Sequence, residues 1–368
     1  MPAFGYIEVS GSPYEAGHAL GRFGALAVHR HLMQTAAWRD VMRSRGTPIA
    51  AALAAHVQQR FPRVWSELQG LADGLRVPFD EVFLWNCRGD VWAASPDGCT
   101  TVQLPAQSSS GSATRISHNE DGDPGFAGHC AIAECRIDGS PRFAAFVYPG
   151  SLPGHTFAVT DAGLAVTVNN LRQRRIEAGV PRMVLTRAVL DASTLDEAVA
   201  VLRDNPRAGG FHLTLAHRAS PALLSVEYSA HGCSVHEIAQ PSLHANHAIH
   251  PAMRGFAQVV TDSSRERQRR GDALLNEARE AGCAPDPLAI LADTHDASLP
   301  IYRADPDDPD DENTLATADI VMGASHIEWN VYERPGTPPR YRLIDGHRQT
   351  QDAPHGCEQG RGEGAGGA

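Results

Sequence analysis

The chain of 368 residues contains no lysine, and all 32 of its basic residues are arginine. Chemistry that needs a lysine is therefore excluded, including Schiff-base formation, a Ser-Lys pair and the phosphate-binding lysine of a P-loop. The net charge of −11 argues against a nucleic-acid partner, because phosphate binding needs a basic surface.

Long apolar runs and targeting signals are also missing. No stretch approaches the roughly 18 apolar residues of a membrane span, and the N-terminal segment lacks the basic and then apolar order of a secretory signal. The seven cysteines are widely spread without a CxxC pair, so a disulfide framework is not expected. We therefore expect a cytoplasmic protein with neither a membrane nor a nucleic-acid partner.

Histidine is abundant, but its spacing does not match a metal site. His244, His247 and His250 recur at every third position, whereas a zinc-protease helix needs an i, i+4 pair within HExxH. The acidic run at 304–313 lacks the glycine and distal glutamate of an EF-hand loop, so we interpret it as a solvated acidic loop. Dinucleotide-binding and serine-hydrolase motifs are absent too. We expect no metal and no cofactor.

The residue pattern changes near residue 98. Before this point, a short strand at 5–10 precedes helical periodicity over 13–34, 48–75 and 79–87. After it, strand-like runs alternate with turn signals. Ser12 and either Ser193 or Thr194 are the expected helix caps.

Later in the chain, the pattern predicts helices at 181–204 and 263–281 and closing strands. The order of helices, many strands, helices and strands indicates an α+β fold rather than regular βαβ alternation. We divide the chain into a mainly helical segment at 1–98, a core at 99–350 and a disordered tail at 351–368.

One cysteine lies where the pattern changes, in the stretch PDGCTTV. Gly98 permits unusual backbone angles, and Cys99 leads into a predicted strand. Attack of the Cys99 thiol on the Gly98 carbonyl would form a thioester, from which water would release residues 1–98. Cys99 would then carry an α-amine with a reference pKa of about 7.7–8.0, which suits a general base. The alternative is an inert core cysteine.

Several motifs resemble the acyl-coenzyme A:6-aminopenicillanic acid acyltransferase family of cysteine N-terminal nucleophile (Ntn) hydrolases. They are, in chain order, GSPYEAGHALGRF, ELQGLADGLRVPFDEVFLWNCRGD, DGCTTV, SHNEDGD, YPGSLPG, GLAVTVNNL and HANH. The resemblance implies a four-layer αββα sandwich. It also implies self-cleavage between Gly98 and Cys99 into an α and a β fragment that remain associated.

The resemblance also implies roles for individual residues. Cys99 matches the nucleophile, Asp121 of HNED matches the acid near its amine, and Asn246 of HANH matches the asparagine of an oxyanion hole. For Asp121 and Asn246 the alternative is an ordinary turn residue. Further residues are expected to line the site, namely Thr101, Asn119, Asn170 and Arg303.

The implied function is hydrolysis of a small N-acyl amide through a Cys99 thioester. Departures from the family pattern, among them those around Arg303, indicate a substrate other than the penicillin precursor. One alternative is acyl transfer from a thioester such as acyl-coenzyme A to an amine, with arginines of 172–175 as a phosphate site or simply as solvated charges. Another is an uncleaved, inactive relative that acts as a binding protein. Homo-oligomerisation stays open.

Overall fold

The computed structural model describes residues 3–92, 98–106 and 112–349. Within these residues, helices and strands combine into a mixed fold with two separate sheets, so the expected α+β class is confirmed. No described helix is both long and apolar enough to cross a membrane. The predicted disordered tail at 351–368 lies outside the described residues.

The N-terminal segment is mainly helical, as predicted. After strand β1 (Gly5–Gly11), the α-helices in chain order are α1 (Pro13–Arg30), α2 (Ala36–Met42), α3 (Pro48–Arg60), α4 (Pro62–Leu75), α5 (Phe79–Trp85) and α6 (Arg88–Val91). The Ser12 side chain caps α1, because its Oγ accepts from the Glu15 N–H while Glu15 accepts from the Ser12 N–H. The helical pattern predicted over 48–75 is present as two helices, because Pro62 begins α4 directly after α3 has ended.

The remaining strands and helices follow Gly98. The strands are β2 (Gly98–Leu104), β3 (Thr114–Gly122), β4 (Ala131–Ile137), β5 (Phe143–Val147), β6 (Phe157–Thr160), β7 (Leu164–Gln173), β8 (Gly210–His217), β9 (Leu223–Ser229), β10 (Gly232–Glu237), β11 (Ser242–His244), β12 (Gln258–Val259), β13 (Asn313–Met322), β14 (Ile327–Tyr332), β15 (Tyr341–Ile344) and β16 (His347–Arg348). The helices are α7 (Arg182–Val189), α8 (Leu195–Arg203), α9 (Asp262–Glu280) and α10 (Pro287–Leu291). Of the two cap candidates, Thr194 caps α8, and the helices predicted at 181–204 are α7 and α8.

The strands form a larger and a smaller sheet. The larger sheet has the order β1-β4-β5-β6-β7-β8-β9-β10, with β12 added to β7, and β1 runs parallel to β4. The smaller sheet has the order β11-β2-β3-β13-β14-β15-β16 and is antiparallel. Strand β2 therefore lies inside the smaller sheet, with a hydrogen-bonded neighbour on each side.

The two sheets touch through side chains. Thr101 of β2 donates to Asn169 Oδ1 of β7 at 2.8 Å, and the rings of Phe157 and Trp329 meet edge to face with centroids 5.7 Å apart. The inner faces of both sheets contribute to one large apolar cluster. Residues of β2 that point inward are therefore enclosed between the sheets.

Helices lie against both sheets. Helices α1 and α8 contact strands of the larger sheet, and α4 packs against α1 and α7. Helices α9 and α10 contact β11, β2 and β3 of the smaller sheet. A second apolar cluster fills that contact and contains Val102, Leu243, Leu275, Ile290, Leu291 and Ile301.

The acidic run at 304–313 is only partly the solvated loop that we predicted, because Asp305, Asp307 and Asp311 are exposed but two other acids are not. Asp308 and Glu312 are buried, and both form ion pairs with the buried Arg303. Burying a carboxylate is costly unless a cation and hydrogen bonds compensate its charge. Arg303 serves both acids here, and Glu312 also pairs with the buried Arg172. Spacing along the chain could not reveal this, because the pairing depends on how the loop folds back.

Helices α1 and α4 cross on glycines. A Cβ added to Gly17 would lie 1.9 Å from the Glu67 carbonyl oxygen, and a Cβ added to Gly70 would lie 1.9 Å from the Tyr14 carbonyl oxygen. These distances are far below van der Waals contact, so the two backbones can approach only where side chains are absent. The small residues on one side of α1 are thus explained by packing.

Gly70→Ala should separate α1 from α4 and destabilise the chain. We expect the free energy of unfolding to fall by about 1–3 kcal/mol or more, the usual cost of overpacking. Gly255→Ala is the matched control, because Gly255 has open space around its Cα. Urea unfolding monitored by circular dichroism measures both. Equal stabilities of the two variants would contradict the close helix crossing.

Candidate active site

The register of β2 and β3 determines which side chains meet at Cys99. Cys99 lies directly opposite Glu120, and Thr101 lies directly opposite His118. Directly opposed residues of an antiparallel pair project to the same face of the sheet, and alternate residues share that face. Thr101 contacts the larger sheet, so the Cys99 thiol, Glu120 and His118 all face inward, between the sheets.

The thiol forms part of a buried polar chain. Cys99 Sγ donates to Glu120 Oε2 at 3.6 Å, and the same oxygen lies 3.1 Å from His118 Nε2. The other ring nitrogen of His118 is 2.8 Å from Thr101 Oγ1. Burial lowers the pKa of His118 to about 3, because the interior disfavours the imidazolium. Cys99 itself is only 3% exposed in the intact chain.

The backbone of Cys99 is held by two side chains that come from outside the strand pair. The Cys99 N–H donates to Asn246 Oδ1 at 2.9 Å. Arg267 of α9 donates to the Cys99 carbonyl oxygen and to Asn246 Oδ1, both at 2.7 Å. Asn246 is thus brought next to Cys99, with its amide oxygen toward the Cys99 nitrogen and its NH2 group donating to the Asn170 carbonyl at 3.3 Å.

Asp121 lies beside the strand start but on the other face. It pairs with Gly98 across the ladder, and strand alternation separates its side chain from the Cys99 thiol. Thr314 donates to Asp121 Oδ1 at 2.6 Å, while Oδ2 is buried and has no hydrogen-bond partner among the described residues. Burial raises the pKa of Asp121, although the positive charges of Arg267 and Arg303 oppose this shift.

Arg303, which was predicted to line the site, lies against Gly98. A Cβ on Gly98 would lie 2.3 Å from Glu312 Oε2 and 3.1 Å from Arg303 Nη1. Burial acts to lower the pKa of Arg303, but the carboxylates of Glu312 and Asp121 outweigh it and raise that pKa. The backbone at position 98 therefore touches a buried ion pair, and only glycine leaves room for this contact.

The other predicted lining residues have different surroundings. Asn170 connects to the site through its carbonyl, which accepts from Asn246, and its side chain accepts from Arg182. Asn119 instead connects β3 to α10 and β13. Its Nδ2 donates to the Leu291 carbonyl of α10 at 2.8 Å, and its Oδ1 accepts from Thr317 of β13. Thr101 contacts His118 and Asn169 between the sheets.

Sequence reasoning missed three residues that touch the site: Arg267, Glu120 and His118. Arg267 lies on the buried side of α9 together with Ser263 and Ser264. The buried side of an ordinary amphipathic helix would carry apolar residues instead. This buried polar side is the signal that could have identified it. Glu120 and His118 alternate with the predicted Asn119 and Asp121, so HNED presents polar groups on both faces of a buried strand.

Among the described residues, one group of donors is close enough to hold a metal ion. The ligand atoms of Cys99, His118 and Glu120 lie within 4.8 Å of one another, and thiolate, imidazole and carboxylate are all zinc ligands. The three histidines of the HANHAIH stretch are not part of this group. His244 contacts Glu227, and His250 contacts Ser225.

Arg267→Met should weaken the site by leaving buried acceptors without a donor. We expect a loss of at least about 3 kcal/mol in the free energy of unfolding, because each unsatisfied buried group costs about 1–3 kcal/mol. Arg265→Met is the control, since the Arg265 side chain is 61% exposed and forms an ion pair with the exposed Asp262. It should change stability by about 0.5 kcal/mol or less. Denaturant unfolding of both variants measures the difference, and equal losses would refute the role given to Arg267.

Two comparisons place these observations among known proteins. The model of the family described as acyl-coenzyme A:6-aminopenicillanic acid acyl-transferase matches residues 108–331, more than half of the chain. The beta-alanyl-dopamine/carcinine hydrolase of Drosophila melanogaster is 27% identical over 225 residues, which cover 54% of this chain and 57% of that protein. The similarity thus spans little more than half of that relative. On the family match, the chain belongs to the acyl-coenzyme A:6-aminopenicillanic acid acyl-transferase family.

Proposed function

We propose that the chain is a self-processing cysteine amidohydrolase whose nucleophile is Cys99. The observation that carries the proposal is the position of Cys99 at the start of β2, with its backbone nitrogen 2.9 Å from Asn246 Oδ1. Cleavage before Cys99 would turn this nitrogen into an α-amine that already has a hydrogen-bond acceptor. The thiol and its base would then belong to one residue.

Self-cleavage requires the Cys99 thiol to attack the Gly98 carbonyl carbon. The attack produces a thioester and frees the Cys99 nitrogen, and water then hydrolyses the thioester to leave a carboxylate on Gly98. The absence of a side chain at Gly98 supports this step, because a Cβ there would collide with Glu312. The burial of Cys99 supports it as well, since an intact chain that encloses its nucleophile must be opened before a substrate can enter.

In the cleaved chain, the α-amine of Cys99 would take the thiol proton as the thiol attacks the substrate carbonyl. Its reference pKa of about 7.7–8.0 lies close to neutral pH, which is favourable for general-base catalysis. Asn246 would donate to the oxyanion once its NH2 group has left the Asn170 carbonyl. Asp121 would stabilise the ammonium form of the Cys99 α-amine. The buried and unpartnered Oδ2 of Asp121 supports that last role.

The fold that we propose is the four-layer αββα sandwich of Ntn hydrolases. Its support is the contact of two sheets through Thr101 and Asn169, with α1 and α8 against one sheet and α9 and α10 against the other. The fragments 1–98 and 99–368 should remain associated, because β1 is hydrogen-bonded along β4 and Arg340 donates to the Phe4 carbonyl.

The proposed substrate is a small N-acyl amide, such as a β-alanyl amine. The name of the Drosophila relative supports this class. The alternative of transfer from acyl-coenzyme A draws on the family description, but the arginines at 172–175 do not form a phosphate cluster together. Arg172 is buried and forms an ion pair with Glu312, so Arg174 and Arg175 alone are exposed in this stretch.

Self-cleavage is tested by denaturing electrophoresis and N-terminal sequencing of the purified protein. We expect fragments corresponding to residues 1–98 and 99–368, and a new N-terminus at Cys99. Cys99→Ala should leave the chain intact, whereas Cys135→Ala, which also removes a buried strand thiol, should be cleaved normally. An intact wild-type chain would favour the inactive binding protein, and cleavage of Cys99→Ala at the same bond would refute the mechanism.

Substrate class is tested with the cleaved protein on carcinine, other β-alanyl amines, N-acyl amides and penicillins. We expect release of the amine. Cys99→Ala should lower the rate by at least about 10³-fold, because it removes the nucleophile and also leaves the chain uncleaved. Acyl thioesters are supplied in parallel with and without an amine. Thioester consumption that rises with amine concentration, together with a new amide product, would favour the acyltransferase instead.

A further inference from the structure

We propose that Glu120 and His118 form the proton relay that activates Cys99 for cleavage of its own chain. The inference rests on the self-cleavage proposed above and names the groups that carry its proton. Before cleavage, the Cys99 nitrogen is a peptide N–H that donates to Asn246, so it cannot accept the thiol proton. The base that serves the cleaved enzyme does not yet exist, and another group must act in its place.

Glu120 is in direct contact with the reacting atom. Its Oε2 accepts from Cys99 Sγ at 3.6 Å, and both residues are fixed by the same rung of the β2–β3 ladder. No rotation of a loop or helix is needed to bring the carboxyl group to the thiol. A group held in place in this way serves proton transfer better than a mobile one, because its orientation costs nothing at the moment of reaction.

The hydrogen bonds around His118 determine where the protons lie. Thr101 donates its only hydroxyl proton to Asn169 Oδ1, so its oxygen accepts from the Nδ1–H of His118. Nε2 of a neutral His118 is then an acceptor, and its contact with Glu120 Oε2 at 3.1 Å requires a proton between the two atoms. With its proton on Nδ1, the His118 ring has a lone pair on Nε2 that can accept the shared proton from Glu120.

The relay then runs in one direction for attack and in the other for bond cleavage. The proton of Cys99 Sγ moves to Glu120 Oε2, while the proton shared by Glu120 and His118 moves onto Nε2. The thiolate forms a bond to the Gly98 carbonyl carbon, and the tetrahedral adduct collapses as the bond from that carbon to the Cys99 nitrogen breaks. Glu120 returns a proton to the departing nitrogen, and His118 gives its extra proton back to Glu120. Water later hydrolyses the thioester.

Other charged and titratable groups surround the relay. Burial raises the pKa of the nearby Cys130 thiol, so that thiol stays protonated. Arg267 lies near Cys99 on the other face, and His212 contacts Asn169 from β8 at 3.0 Å. Asp121, also on the other face, approaches Gly98 rather than the thiol. Glu120 and His118 are the pair that the ladder aligns with Sγ.

The test is the cleavage rate of the full-length chain with Glu120→Gln, made by cell-free translation and followed by denaturing electrophoresis. A zinc-selective chelator is present throughout, because the same three donors would suit zinc. We expect cleavage at pH 7 to slow by at least about 100-fold, the lower range for general acid–base catalysis. Glu134→Gln is the matched control, a buried strand glutamate bonded to Tyr6, and should cleave within about twofold of wild type.

A rise in pH distinguishes proton transfer from a structural role. A thiol has a reference pKa of about 8.5, so a growing fraction ionises without a base as the pH rises toward this value. The cleavage rate of Glu120→Gln should therefore rise about tenfold per pH unit until the pH reaches about 8.5. His118→Asn, which removes the final acceptor and serves as the second variant if Glu120→Gln does not fold, should behave in the same way. Thermal unfolding confirms that each variant is folded.

Each outcome has a separate meaning. Normal cleavage of folded Glu120→Gln, or a loss of cleavage that high pH does not restore, would overturn the relay while leaving self-cleavage intact. Failure of the wild-type chain to cleave would overturn the proposed function instead, and the relay with it. Slow cleavage with recovery at high pH, in a folded variant, supports the relay.

Discussion

The antiparallel pairing of β2 with β3 is the constraint on which the site depends. It places Cys99 opposite Glu120 and Gly98 opposite Asp121, and strand alternation then sends the thiol and the Asp121 carboxyl group to opposite faces. A slip of one residue would exchange these faces and separate the thiol from Glu120. The pairing is secured on both sides, because β11 adds to β2 and β13 adds to β3.

Arginine stabilises the charges that this arrangement buries. Arg267 joins the Cys99 carbonyl to Asn246, and Arg303 pairs with Asp308 and Glu312 beside Gly98. A guanidinium has five N–H donors in a fixed plane, so one side chain can satisfy several acceptors at once. Lysine, which this chain lacks, presents a single compact charge and could not bridge the same set of atoms. The site is therefore organised by fixed multidentate contacts.

Local features were the most predictable part of the fold. The caps at Ser12 and Thr194 and the α+β order follow from short-range chemistry, and the structure confirms them. The division of the helical pattern over 48–75 at Pro62 is also a local effect. Arg267 was not predictable by motif, because it reaches Cys99 from a helix that is distant in sequence.

The sequence by itself determined that the chain has a cysteine after a glycine at the start of a strand, no lysine chemistry and the motifs of its family. Only the tertiary structure decided which groups touch that cysteine. HNED offers four polar side chains, and their division between two faces follows from the pairing of β3 with β2. Hydrogen bonds and ion pairs act over about 3 Å, whereas the residues that make them here are far apart in the chain, so their choice of partner is set by packing.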